Sequence, residues 1–141
     1  MSFFYLSTST WRVLGLSVAA SYTGLGLFEV VFPRRAALEF FALPSVPAAT
    51  AGVRQEDEER SEAVRFMVPL LGVRDLSIAA ALWTFAYQGK WREVGTVILA
   101  GTILCAADCW VVWRRVGPRL GAQFTGGAVG WTVIGAVLSW S

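Results

Sequence analysis

Two apolar stretches of this sequence are interrupted by charge. Arg74 and Asp75 break the run 66–83, and Asp108 breaks the run 94–113. Glu29 is a third acid, close to the end of an earlier apolar run. A charge inside a membrane span costs roughly 2.5–3.5 kcal/mol on insertion scales, so such residues usually pair, face the protein interior and serve a function. Three acids around one arginine leave excess negative charge unless one or two of them hold a proton. A protonated acid beside an ionised one is the arrangement that general acid–base chemistry uses. A structural ion network that fixes helix register is the plainer reading of the same residues.

The composition limits the other options. The chain has 141 residues, 55% of them hydrophobic and 16% charged, with a net charge of +2. Soluble domains carry about 25% charged residues, so this balance indicates an integral membrane protein. The small net charge gives no footprint for a nucleic-acid partner. Histidine is absent, which excludes a Ser-His-Asp triad and a His-ligated metal or haem site. Cys105 and Cys109 lie one helical turn apart and are expected to pack as small, soft residues, with a redox pair as the other reading. Two thiols do not complete a zinc site. With no glycine-rich phosphate loop in the sequence, neither cofactor nor metal is expected.

Four apolar stretches must position these residues: about 11–32, 63–87, 91–113 and 122–140. Each is long enough to cross a hydrocarbon core of ~30 Å at 1.5 Å per residue. The expected fold is all-α, a four-transmembrane-helix bundle forming one domain over residues 1–141. In the first stretch the basic residue Arg12 comes late and the apolar run is long, so it reads as an uncleaved membrane helix. Pro33 suits the first position of a new helix. Residues 34–43 mix Arg34 and Arg35 with Leu38, Phe40 and Phe41, the pattern of a short interfacial helix. Pro44 and Pro47 break it, and residues 44–62 read as a polar loop carrying a solvated acidic cluster, Glu56-Asp57-Glu58-Glu59. Gln88-Gly89-Lys90 reads as a tight turn, and Val116-Gly117-Pro118 breaks the chain before the last, glycine-rich stretch.

Basic residues give the expected topology. Arg34, Arg35, Arg54, Arg60, Arg65, Arg114, Arg115 and Arg119 share one side; Arg12, Lys90 and Arg92 share the other. The positive-inside bias places the first and third connections in the cytoplasm, in the endoplasmic reticulum membrane if the host is eukaryotic. Depths then follow from the helix rise. Glu29 lies about 6 Å from that end of its helix, Asp108 about 9 Å and Arg74 about 13 Å, so all can line one pocket. Tyr22, Gly26 and Glu29 fall on one stripe of the first helix. Arg74 and Asp75 point about 100° apart, so each is expected to reach toward a different neighbour, with Arg74 bridging carboxylates on adjacent helices. Pro69, just before the pair, frees a backbone carbonyl.

Acid, base and arginine without histidine suit the opening of a strained ring such as an epoxide. A carboxylic acid protonates the epoxide oxygen, while a carboxylate takes a proton from water, giving a diol, or from a substrate hydroxyl, giving a cyclic ether. An Asp–Arg–Asp set serves soluble limonene-epoxide-type hydrolases on an unrelated fold. The segment Leu71-Gly-Val-Arg-Asp-Leu, the pair Ala107-Asp108 and the segment Phe32-Pro33-Arg34 resemble one family. It is a domain-of-unknown-function family of small four-helix membrane proteins, common in fungi, some of which accompany polyketide and meroterpenoid pathways. The resemblance extends to membrane-bound epoxide hydrolases and cyclases. It implies that Arg74, Asp75 and Asp108 are the functional set. Asp75 and Asp108 are then the acid and base in unassigned order, Arg74 holds the ionised member, and Glu29 is a third catalytic candidate. Tyr22, Trp83 and Trp110 are candidate contacts to a lipophilic substrate entering from the lipid bilayer, and Trp131 is a further aromatic wall.

Other readings use the same residues differently. A scaffold subunit would use Gly126, Gly127, Gly130 and Gly135 for helix packing, with Gly126 and Gly130 in GxxxG spacing for internal contact or a homodimer. A small proton-coupled transporter would use the buried acids as a relay. A thiol redox protein would depend on Cys105 and Cys109.

Overall fold

The computed structural model describes residues 7–41, 54–115 and 117–140. They form five helices: α1 (Thr8–Val31), α2 (Pro33–Phe41), α3 (Arg54–Tyr87), α4 (Trp91–Arg115) and α5 (Pro118–Trp140). Three segments are long and apolar enough to cross a membrane: Thr8–Val31, Val64–Tyr87 and Trp91–Trp110. The fold is thus all-helical, with three spans assigned by length and composition.

Local chemistry explains the helix ends. The Ser7 hydroxyl accepts a hydrogen bond from the Thr10 amide at 3.3 Å and caps α1. The Phe32 amide donates to the Phe28 carbonyl at 2.8 Å, and Pro33 then opens α2, where its missing N–H costs nothing. α3 closes with the Lys90 amide on the Phe85 carbonyl and the Gly89 amide on the Ala86 carbonyl. That pair of bonds requires the left-handed φ of 71° that Gly89 supplies. Gly117, with φ of 116°, turns the chain into α5, and Pro118 takes its first position.

One expected loop is helix. α3 begins at Arg54, so the acidic cluster Glu56–Glu59 belongs to its first turns and not to a polar loop over 44–62. The residues there are mostly Glu, Arg and Gln, all good helix formers, and acids near a helix start complement its dipole. Residues 42–53, with Leu43, Pro44 and Pro47, lie outside the described residues. α3 runs on through Pro69.

α1 packs mainly along α3, and α4 mainly along α5. Glycine pairs bring each partnership close. A Cβ on Gly26 would stand 2.8 Å from the Gly72 carbonyl oxygen, and one on Gly135 would stand 3.1 Å from the Gly95 carbonyl oxygen. α5 runs antiparallel along the length of α4. Gly121 abuts Trp113 at one end, Gly135 meets Gly95 further along, and Arg92 Nε donates to the Ser139 carbonyl at 3.3 Å at the other end. The pairs meet at a core that includes Val18, Ala19, Leu82, Val94, Ile98 and Leu138. α2 lays Ala36 and Ala37 on Val68 of α3. Internal packing at Gly126 and Gly130 does not occur: a Cβ on Gly126, Gly127 or Gly130 would meet nothing within 4 Å. Gly127 borders a cavity, and the glycine packing of α5 on α4 is made by Gly135 against Gly95.

Candidate functional site

Arg74 sits midway along α3 with its side chain 29% exposed. Its Nε donates to Asp75 Oδ1 at 2.9 Å, and its Nη2 donates to Asp108 Oδ2 of α4 at 3.1 Å. The guanidinium therefore holds two carboxylates at once through two of its nitrogens. The pairing with Asp75 departs from the sequence expectation. Neighbouring residues point apart at Cα, but the long arginine stem folds back far enough to place Nε on the short Asp75 side chain. The two acids differ in environment: the Asp75 side chain is 7% exposed and that of Asp108 is 40% exposed.

These three residues form the polar wall of a cavity of about 340 Å³ whose remaining surface is mostly apolar. α1 contributes Tyr22 and Leu25, α4 contributes Leu104 and Cys105, and α5 contributes Phe124 and Trp131. Tyr22 is buried, its ring 5.0 Å from that of Trp131 and tilted by 43°, and its hydroxyl lies 3.5 Å from Cys105 Sγ. Gly101 makes room for that hydroxyl, since a Cβ there would lie 2.7 Å from it. Cys105 and Cys109 are free thiols, and both line the cavity. A second, more open groove of about 660 Å³ runs along the outside of α4 and α5. Cys109 and Ala128 line both.

The remaining candidates fall elsewhere. Glu29 is buried at the α1–α3 crossing, where a Cβ on Gly72 would lie 3.0 Å from its own Cβ, and it does not line the cavity. Its Oε2 has no hydrogen-bond partner among the described residues, while the charges of Asp75, Arg74 and Asp108 are near enough to act on it. Trp83 and Trp110 are outside the cavity. Trp83 is 44% exposed and donates from Nε1 to Thr23 Oγ1 at 3.1 Å. Trp110 faces outward into the groove, beneath the Arg114 guanidinium at 4.9 Å. Helix rotation explains both: Trp83 turns toward Thr23 of α1 and Trp110 toward the outer groove, each away from the cavity. Gln123 joins the cavity wall unforeseen. Its signal was present: it is the lone amide in the stretch 122–140. No group of three or more Cys, Asp or Glu side chains is arranged to hold a metal ion among the described residues.

Residues 19–138, which include every residue of this site, match a family described as a domain of unknown function, DUF4267. The chain belongs to the DUF4267 family. No curated protein and no solved structure matches it. Membership in DUF4267 agrees with the resemblance to a family of unknown function and carries no likeness to epoxide hydrolases.

Proposed function

We propose that this protein is a membrane-embedded enzyme that opens an epoxide ring in a lipophilic substrate by acid–base catalysis. The observation that carries the reading is the Arg74 bridge between Asp75 and Asp108 at the wall of an otherwise apolar cavity. One carboxylic acid gives its proton to the epoxide oxygen as the ring C–O bond breaks. The other, as carboxylate, accepts a proton from the oxygen that forms the new C–O bond. Water as the nucleophile gives a diol, and a hydroxyl on the substrate gives a cyclic ether. Proton exchange between the two acids restores the starting state. Arg74 keeps one of them ionised and fixes both in place. No cofactor takes part in this scheme.

The scheme sits in a four-span bundle. α5 runs beside α4 from end to end, which supports its crossing wherever α4 crosses. α2 lies in the interface, and the α1–α2 side faces the cytoplasm, at the endoplasmic reticulum if the host is eukaryotic. The substrate reaches the cavity from the bilayer through the α4–α5 seam at Cys109 and Ala128. The products would suit polyketide or meroterpenoid biosynthesis. A second reading, a membrane assembly subunit that forms homodimers, draws on the empty GxxxG face of α5.

Product analysis on membranes holding the protein and a panel of polyene and terpenoid epoxides tests the proposal. The parent should turn over at least one epoxide, and Asp75→Asn and Asp108→Asn, at equal folded levels, should not. Label from heavy-oxygen water separates diol from cyclic ether. No turnover across the panel, or equal turnover by both variants, would reject the enzyme reading.

A further inference from the structure

Two membrane spans and one interfacial-type helix meet at an arginine-lined cavity remote from the Asp–Arg–Asp site. Arg34, Arg35 and Arg65 surround a space of about 400 Å³, together with Val31, Phe32 and Pro33. The location is set by the chain. Val31 is the last residue of the Thr8–Val31 span, and Arg65 is the second residue of the Val64–Tyr87 span, so the cavity opens at a membrane surface. No acidic side chain lines it among the described residues. The Arg35 guanidinium rests 5.8 Å from the centre of the Phe32 ring, which holds it beside apolar surface. The rest of the cavity wall is apolar and partly exposed: Val31 is 58% exposed and Phe32 48%.

We propose that this cavity binds the phosphate of an anionic phospholipid. Guanidinium forks match phosphate oxygens two at a time, and three of them around one space give both charge and geometry. Basic pockets at the ends of membrane helices are suited to anionic head groups. The exposed Val31 and Phe32 of the cavity wall offer apolar surface to acyl chains, which a soluble phosphate lacks. The proposal stands apart from the epoxide reading, since the cavity shares no residue with the Asp–Arg–Asp wall.

Native mass spectrometry of the purified protein in neutral detergent, titrated with dioleoyl phosphatidic acid or with dioleoyl phosphatidylcholine, reads the site directly. The parent should retain phosphatidic acid in preference to phosphatidylcholine. An Arg34→Gln/Arg35→Gln/Arg65→Gln variant should bind phosphatidic acid more weakly by about fivefold for each charge removed. An Arg12→Gln/Arg114→Gln/Arg119→Gln variant, with the same loss of charge elsewhere, should bind like the parent. Equal weakening in both variants, or none in the first, would overturn the proposal. Replacing the three site arginines by lysine keeps the charge and guards against a folding defect. That variant should keep the preference at reduced affinity, and loss of all preference in it would also overturn the proposal. An equal concentration of inorganic phosphate should leave the bound lipid in place; displacement would assign the site to soluble phosphate instead.

Discussion

Arg74 has one positive charge and two carboxylate partners, and its two contacts are unequal. Asp75 is nearly sealed from solvent, whereas Asp108 stays partly open. Removing the arginine leaves a buried carboxylate without its counter-charge, so Arg74→Met should destabilise the protein by about 3 kcal/mol. Asp108→Asn should cost less than that, because its side chain is the more open of the two acids and Arg74 keeps its bond to Asp75. Thermal unfolding in one fixed detergent checks both. On activity the ranking differs: under the proposed reaction Asp75→Asn and Asp108→Asn each lower turnover by at least about 100-fold, as product chromatography would record. A Cys105→Ala/Cys109→Ala variant should keep turnover, and its loss would favour redox chemistry. The three charged residues were legible in the sequence because they are the charges that interrupt apolar runs. Their pairing was less so. Helical spacing fixes the angle at which a Cα–Cβ bond leaves the axis but not where a long side chain ends, and so the Arg74–Asp75 contact escaped it.

Between helices, glycine decides the spacing. Gly26 and Gly72 each present bare backbone to the other, and a side chain on either collides with a carbonyl and with Leu76 or Val30. Gly26→Leu should cost about 1–3 kcal/mol through overpacking. Gly130→Ala meets open space and gains helix propensity, so it should be neutral or stabilising by up to about 1 kcal/mol. Comparing the two unfolding midpoints tests whether the close crossings lie where described. If substrate enters at the α4–α5 seam as proposed, Ala128→Phe should raise KM for a lipophilic epoxide with little change in the unfolding midpoint. The sequence identified the helices well, since four apolar stretches and their Gly and Pro punctuation mark them. It did not tell which glycines face a partner, as that depends on how each helix rotates against another. Nor did it place the start of α3, because a charged run of Glu, Arg and Gln reads equally as solvated loop or as solvated helix.

At the scale of the whole molecule, the four-span reading makes a topological claim. In a cysteine-free background, single cysteines at Ser7, Lys90 and Ser139 should react with a membrane-impermeant maleimide from one side, and one at Arg119 from the other. Labelling of Ser139 and Arg119 from the same side would lay α5 along the surface and leave three spans. The described helices also group unevenly: α1 with α3, and α4 with α5. Each group is closed on itself by glycine crossings, whereas Arg74 and Asp108 stand on opposite sides of the division. The ion pair on the cavity wall therefore also ties two halves of the protein together, beside the apolar core they share. Under the proposed reaction, Asp108 loosens that tie when it takes up a proton and tightens it when it gives one up, so turnover would also change how firmly the halves hold together.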